Sequence, residues 1–242
     1  MISLNGTQFI LFDLDGTLRH NQPSSEHAFF DFAVQLGAED SPARRRSGMR
    51  WSHYYWAQSP VLLNDLVTYK NQEELFWINY AFRHLLSFGC SKEQATLLAK
   101  PVQEQMEKHY KPEDVVYPST IETLQQLRQA GFTLGVVTNR RDSCDEQLSA
   151  LGLKEFMDVT VVAGKVSAWK PDPAIFEHAL KMLKASPEQV IYVGDNYFAD
   201  IVGARRAGIR PVLIDPEGVF TEPECTVITS IEELLTVLEQ QP

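Results

Sequence analysis

The strongest constraint on the fold is a set of short apolar runs that alternate with helical patterns. Each run is long enough for one strand only and is bounded by turn residues, which suits a strand buried on both faces of a parallel sheet. The runs cover residues 8–14, 132–138, 159–163, 190–194 and 211–214. Glycines that suit left-handed helix ends follow three of the helical patterns, at Gly131, Gly152 and Gly208. The alternation predicts an α/β fold with a doubly wound, Rossmann-like parallel sheet.

Residues 18–114 interrupt this alternation and contain no convincing strand. Asn71 is followed three residues later by Glu74 and then by apolar residues at helical spacing, which predicts a helix capped by Asn71. Ser91 is expected to begin another helix, kinked at Pro101. The sequence therefore predicts an inserted all-helical domain over residues 18–114, and an α/β core formed by residues 1–17 and 115–242.

Composition and charge exclude several classes of protein. The formal net charge of -10 argues against binding of a nucleic acid polymer or an anionic membrane, since both need clustered Lys and Arg. Cys90, Cys144 and Cys225 are far apart and form no CxxC pair, so we expect neither a disulfide framework nor a thiolate metal site. No signal peptide and no apolar run of about 18 residues is evident. We expect a soluble, cytoplasmic protein.

A pair of acidic residues, Asp13 and Asp15, lies at the end of the first apolar run in the segment FDLDGTL. Strand side chains alternate between faces, so both carboxylates would project to one side if the strand continued through them. Gly16 then permits a sharp exit. Paired carboxylates can serve as a nucleophile beside an acid or base, or can hold a hard cation. The alternative interpretation is an ordinary capped turn rich in Asp and Gly.

Other polar residues follow the later predicted strands. They are Thr138 and Asn139, Lys170 in KPDP, and Asp195 and Asp200 in GDNYFAD. Each of these signals is weak alone. In a doubly wound sheet, however, ligands bind beyond the carboxyl ends of the strands, so we expect these residues to lie at one edge of the sheet.

Four segments, FDLDGTL, VVTN, KPDP and GDNYFAD, resemble in order and approximate spacing the four motifs of the haloacid dehalogenase superfamily of hydrolases. The resemblance covers essentially the whole chain, and the insertion resembles the helical cap of subfamily I. Position by position, it implies that Asp13 is a nucleophile that forms an aspartyl-phosphate. It also implies that Asp15 is the general acid and base.

The resemblance further implies a bound Mg²⁺ ion. Its ligands would be the carboxylates of Asp13 and Asp195 and the backbone carbonyl of Asp15, whose side chain would remain available for proton transfer.

The resemblance also assigns the binding of phosphoryl oxygens to Thr138 and Lys170, with assistance from Asn139. Two residues near the fourth motif stay open. Asp200 either orients Lys170 or a metal-bound water, or caps the helix that follows, and Asn196 has the same ambiguity.

A Mg²⁺-dependent phosphohydrolase that acts on a small phosphorylated metabolite is thus the implied activity. A sugar phosphate, phosphoglycolate and a nucleoside monophosphate all remain open as substrates, and no protein partner is identified. Dehalogenases of the superfamily lack the second aspartate, so Asp15 favours phosphate chemistry. Two alternatives remain: a phosphomutase resembling β-phosphoglucomutase, and a non-catalytic binding or regulatory protein with the same fold.

A basic and aromatic cluster within the insertion is the last feature of note. It consists of Arg44, Arg45, Arg46, Arg50, Trp51, Tyr54, Tyr55 and Trp56. One hypothesis is that it selects a substrate with a second negative group or a base ring. Arginines on a solvated helix face and aromatic rings packed between helices explain the same pattern, and we favour that interpretation.

Overall fold

The computed structural model of the protein describes residues 6–239. These residues form two compact units. One unit extends to His20 and resumes at Val115, and the other comprises Asn21–Asp114. The chain therefore leaves the first unit after that unit's first strand. It returns before the second strand of the large sheet in the same unit.

The described strands form a six-stranded parallel sheet and a two-stranded sheet. In chain order they are β1 (Phe9–Phe12), β2 (His20–Gln22), β3 (Glu113–Val115), β4 (Thr133–Thr138), β5 (Val159–Val162), β6 (Val190–Gly194), β7 (Arg210–Ile214) and β8 (Thr226–Ile228). The six-stranded sheet has the order β5-β4-β1-β6-β7-β8, and β2 pairs with β3.

Helices occupy most of the remaining described chain. They are α1 (Ser25–Gln35), α2 (Pro42–Trp56), α3 (Pro60–Thr68), α4 (Glu73–Ser87), α5 (Lys92–His109), α6 (Pro118–Gln129), α7 (Asp145–Ala150), α8 (Ala163–Val166), α9 (Pro173–Leu183), α10 (Val202–Arg206) and α11 (Glu233–Glu239). The first five belong to the unit Asn21–Asp114, and the other six to the unit with the large sheet. Within residues 6–239, no helix combines the length and apolar character needed to cross a membrane.

Strand β1 lies at the centre of the parallel sheet. The chain passes from β1 to β4 and β5 on one side and then returns to β6, β7 and β8 on the other. Ile10 and Phe12 belong to one buried apolar cluster and Leu11 to a second, so apolar residues cover both faces of the sheet. The predicted α/β fold is confirmed, and the carboxyl end of β1 marks the position where such sheets bind ligands.

Several local predictions can be compared with these elements. Gly131, Gly152 and Gly208 all have positive φ and follow α6, α7 and α10, as predicted. Ser91 caps α5 through a hydrogen bond from the Gln94 backbone N–H, also as predicted, and α5 extends through Pro101.

Two predictions for the insertion were wrong. Asn71 does not cap α4, because the Asn71 backbone has a φ of 62° and an N-cap residue is normally extended. The N-cap position is occupied by Gln72 instead. Residues 18–114 also contain short strands at both ends, β2 and the first two residues of β3. These strands are too short and too polar to give an apolar pattern.

Strand β1 ends at Phe12 and does not continue through Asp13 and Asp15. The backbone N–H of Asp13 still donates to the Val193 carbonyl at 2.9 Å, but the Leu14 carbonyl accepts from the N–H groups of Leu18 and Arg19. A tight turn therefore begins directly after β1. The two carboxylates consequently have different environments.

Candidate active site

Asp13 is a buried carboxylate in direct contact with a buried ammonium group. The Lys170 Nζ donates to Asp13 Oδ1 at 2.6 Å, and Asp13 and Lys170 are only 7% and 2% exposed. Strand β1 fixes the Asp13 backbone, while Lys170 precedes α9 in the loop that follows β5 and α8. A charged pair is retained at such burial only when further hydrogen bonds satisfy both groups.

Two more acceptors complete the surroundings of Lys170. Its Nζ donates to Asp200 Oδ1 at 2.6 Å and to the Tyr192 hydroxyl at 3.0 Å. An ammonium group has three N–H donors, so the three contacts use all of them. Gly194 permits this close packing, because a Cβ there would lie 2.4 Å from Asp200 Cγ.

Asn139 fixes the backbone of Lys170. Its Oδ1 accepts from the Lys170 backbone N–H at 2.6 Å, and its Nδ2 donates to the Lys170 carbonyl at 2.9 Å. Thr138, the last residue of β4, is 1% exposed. Because β4 and β1 are neighbours in a parallel sheet, Thr138 and Asp13 lie at the same edge.

Electrostatic surroundings perturb the pKa values of both charged partners. Burial raises the pKa of Asp13 well above its usual value, and the carboxylates Asp200 and Asp195 raise it further, against the opposing attraction of Lys170. Burial alone would lower the pKa of Lys170, but Asp13 and Asp200 outweigh it and raise that pKa above its usual value. Lys170 therefore carries its proton. Its single positive charge does not balance the negative charges of the neighbouring carboxylates, so a further cation would stabilise the cluster.

Three carboxylates converge at this edge of the sheet. Asp13, Asp195 and Asp200 each offer an oxygen, and these oxygens lie within 4.8 Å of one another. Gly16 makes room for Asp195, because a Cβ at Gly16 would lie 2.4 Å from Asp195 Oδ2. Carboxylate oxygens are the ligands that hard divalent cations prefer, so the residues present fit a metal ion such as Mg²⁺.

Both carboxylate oxygens of Asp200 accept hydrogen bonds. Its Oδ1 accepts from Lys170, and its Oδ2 accepts from the Asn196 backbone N–H at 2.9 Å. The segment after β6, a turn of π-helix over Tyr197–Ile201, is capped by Asn196, whose Oδ1 accepts from the N–H groups of Phe198 and Ala199. Asp200 thus contacts Lys170, whereas Asn196 provides the cap.

Asp15 has different partners from Asp13. Its carboxylate accepts two parallel hydrogen bonds from Arg140, from Nε to Oδ2 at 2.7 Å and from a terminal nitrogen to Oδ1 at 2.6 Å. Arg19 also donates to Oδ1, at 3.0 Å. The Asp15 side chain is 37% exposed. It therefore lies on the more open side of the site.

Sequence reasoning missed Tyr192 and Arg140. Tyr192 is an apolar-looking position in the middle of β6, and only its hydroxyl contacts to Lys170 and Asp200 reveal a role. Arg140 directly follows the segment VVTN, and its position after a strand at the ligand-binding edge was the available signal.

Within the helical unit, acidic partners neutralise part of the basic cluster. Arg44 pairs with Glu39 at 2.5 Å, and Arg45 pairs with Asp31 and Asp40 at 2.8 and 2.9 Å. The aromatic residues of the cluster pack together, and rings of Trp51, Tyr55 and Trp56 contact the ring of Tyr80. These contacts account for Arg44, Arg45, Trp51, Tyr55 and Trp56 without a ligand.

Comparisons with known proteins agree with this geometry. The family model described as haloacid dehalogenase-like hydrolase matches residues 7–208. Haloacid dehalogenase-like hydrolase domain-containing protein 3 of Homo sapiens is 29% identical over 234 residues, covering 93% of this chain and 90% of the relative. Phosphoserine phosphatase of Thermus thermophilus is 28% identical over 249 residues, covering 91% of this chain and 95% of the relative.

A solved structure shows the same fold over nearly its whole length. The 2-haloacid dehalogenase from Pseudomonas syringae pv. Tomato DC3000 has a TM-score of 0.54 and 26% identity, covering 96% of this chain and 98% of that chain. The match to the family model extends over far more than half of the sequence and includes every residue of the carboxylate and lysine cluster. The chain therefore belongs to the haloacid dehalogenase-like hydrolase family.

Proposed function

We propose that the protein is a Mg²⁺-dependent phosphohydrolase that acts on small soluble phosphomonoesters, with Asp13 as the nucleophile. The observation that carries this proposal is the buried ammonium of Lys170 at 2.6 Å from Asp13 Oδ1, beside two further carboxylates. A carboxylate that attacks an anionic phosphoryl group needs adjacent positive charge, both to reduce repulsion and to stabilise the equatorial oxygens in the transition state.

The named relatives leave two chemistries to compare, phosphate ester hydrolysis and dehalogenation. A halide leaves without a proton, whereas the alkoxide leaving group of a phosphomonoester needs a general acid. Asp15 provides a carboxyl group two residues after the nucleophile, at the same edge of the sheet. This residue, together with the similarity to a phosphoserine phosphatase over nearly the whole chain, favours phosphate chemistry.

The proposed reaction has two steps. In the first, an Asp13 oxygen attacks phosphorus, the ester P–O bond breaks, and the leaving oxygen takes a proton from Asp15. In the second, water attacks the phosphorus of the aspartyl-phosphate and gives a proton to Asp15. The bond between the Asp13 oxygen and phosphorus then breaks. The products are the alcohol and inorganic phosphate, and Asp15 regains its initial protonation state.

Asp13 and Asp195 would hold the Mg²⁺ ion, together with the backbone carbonyl of Asp15. When bound, the ion supplies positive charge that orients and neutralises the phosphoryl group. Thr138 would bind a phosphoryl oxygen from the end of β4, and Lys170 a second one. Asn139 would contribute mainly by fixing the Lys170 backbone, because both polar atoms of its side chain contact that backbone.

We also propose that the protein acts in the cytoplasm on a small phosphorylated metabolite. Its three cysteines are all free thiols, which suits a reducing compartment. The net charge of -10 disfavours nucleic acid polymers as substrates.

Release of inorganic phosphate from a panel of small phosphomonoesters tests the proposal. We expect turnover in the presence of Mg²⁺, little turnover with EDTA, and a loss of at least about a thousandfold in Asp13→Asn, because the amide is a poor nucleophile. Circular dichroism should show that the variant is folded. Wild-type protein that releases no phosphate from any ester, or an Asp13→Asn variant that remains active, would contradict the proposal.

A further inference from the structure

Arg140 and Asp15 form a charged pair that the proposed reaction does not explain. The two residues lie 125 positions apart, after the neighbouring strands β4 and β1, and two nearly parallel hydrogen bonds of 2.6 and 2.7 Å join them. This bidentate geometry is the one in which a guanidinium group recognises a carboxylate most specifically. The same geometry would suit a carboxylate from a ligand.

The structure fixes Arg140 independently of Asp15. A terminal nitrogen of Arg140 donates to Gln147 Oε1 on α7, and its backbone carbonyl accepts from the Gly164 N–H at 3.0 Å. Gly164 is required for this contact, because a Cβ there would lie 1.9 Å from the Arg141 carbonyl oxygen. The guanidinium group therefore keeps a hydrogen bond that does not involve Asp15, which helps to preorganise it for another anion.

Arg140 lies on the leaving-group side of the proposed reaction. Asp15 must reach the ester oxygen that it protonates, so its direct neighbour Arg140 is close to the group attached to that oxygen. Both oxygens of Asp15 accept hydrogen bonds from Arg140, and Arg19 adds a third at 3.0 Å. Asp15 thus has to leave this pair, at least in part, before it can donate a proton to the ester oxygen.

We propose that Arg140 is a specificity residue that binds a carboxylate on the leaving group of the substrate in exchange for Asp15. The preferred substrates are then small phosphomonoesters with a carboxylate two or three bonds from the ester oxygen. Such a substrate replaces Asp15 at the Arg140 guanidinium and makes the Asp15 side chain available to the leaving oxygen. This inference rests on the proposed phosphohydrolase function.

Matched substrates and variants test it. We would measure kcat/KM for 2-phosphoglycolate against ethyl phosphate, in which a methyl group replaces the carboxylate, and for O-phosphoserine against phosphoethanolamine, in which a hydrogen replaces it. The proteins are wild type, Arg140→Gln and Arg141→Gln, which removes an exposed neighbouring charge. Charge-assisted bidentate pairs predict that wild type prefers the carboxylate in at least one pair by about tenfold to a hundredfold.

We expect Arg140→Gln to lose that preference while it still hydrolyses the substrates without a carboxylate, and Arg141→Gln to keep it. If Arg140→Gln does not fold, Arg140→Lys retains the charge but not the two parallel donors, and the same loss is expected. Equal kcat/KM values within both pairs for wild type, or an unchanged preference in the Arg140 variant, would overturn the inference and leave the phosphohydrolase intact. Failure of wild type to hydrolyse any ester would instead refute both.

Discussion

At the scale of single residues, Lys170 is the proposed ligand of a phosphoryl oxygen, and its donors already have partners in the structure. Its three donors are directed at Asp13, Asp200 and Tyr192, so a phosphoryl oxygen must share or replace one of these contacts. The contact to Tyr192 is the longest, at 3.0 Å, and its acceptor is uncharged. Under the proposed function, the contact to Tyr192 is therefore the weakest of the three with which a phosphoryl oxygen would compete.

Removal of the Lys170 ammonium gives a stability prediction. In Lys170→Met, Asp13 and Asp200 remain buried without their cation, and we expect the free energy of unfolding to fall by about 3–5 kcal/mol. Urea unfolding at pH 7 with EDTA measures the change. Lys165→Met is the matched control, because its side chain is 57% exposed and its ion pair with Asp145 is screened by water. Equal losses in the two variants would show that burial of the pair is unimportant.

At the scale of elements, the pairing of β1 with β6 places Asp195 near Asp13, and the turn after β1 packs closely against Asp195. Gly16 has a φ of 91°, and any Cβ there would be 2.4 Å from Asp195 Oδ2. Gly131 also has a φ of 91°, but a Cβ there would have no neighbour within 4 Å. The two glycines thus have the same φ and differ in what a Cβ would meet.

We expect Gly16→Ala and Gly131→Ala to lose similar stability from backbone strain, of about 1–3 kcal/mol. Only Gly16→Ala should also displace Asp195 and raise the Mg²⁺ concentration at which Tm begins to increase, by about tenfold or more. Thermal melts over a Mg²⁺ series measure both effects. An increase in Tm that begins at the same Mg²⁺ concentration in both variants would contradict a metal role for Asp195.

The sequence predicted those elements whose stability comes from local pattern and burial. Apolar runs identified β1, β4, β5, β6 and β7, because strands covered on both faces are apolar throughout. Strand β8 was missed, since only one of its three residues, Ile228, is buried.

Side-chain pairs between distant segments gave no local signal. Arg140 with Asp15 and Tyr192 with Lys170 become evident only when the sheet brings strand ends together. The environments of Asp13 and Asp15 were likewise out of reach, because the strand ends at Phe12 and the side chains no longer follow its alternation.

At the scale of the whole molecule, buried titratable side chains occur in both compact units. The unit with the large sheet contains the Lys170 cluster. The helical unit contains His84, which is 1% exposed and packs against aromatic rings and one charged side chain. Those neighbours are Phe29, Phe30, Trp51, Tyr80 and Glu26. Burial lowers the pKa of His84 to about 4, although the charge of Glu26 opposes this shift.

This pKa predicts that acid destabilises the helical unit. Between pH 6.5 and 4 the unfolded chain binds a proton at His84 that the folded state does not bind, so the free energy of unfolding falls as the pH falls. The loss should be roughly 2 kcal/mol between pH 6.5 and 4.5. We expect His84→Phe to lack this loss, because a neutral ring remains within the same aromatic packing.

Urea unfolding at the two pH values, followed by tryptophan fluorescence, measures the effect. Three of the four tryptophans, Trp51, Trp56 and Trp77, lie in the helical unit, so the signal reports mainly on that unit. Other groups also titrate in this range, and the difference between wild type and His84→Phe isolates the contribution of His84. His178→Phe, which replaces an exposed histidine in the other unit, should follow wild type. A His84→Phe variant with the full wild-type pH dependence would show that His84 is protonated as readily in the folded unit as in the unfolded chain.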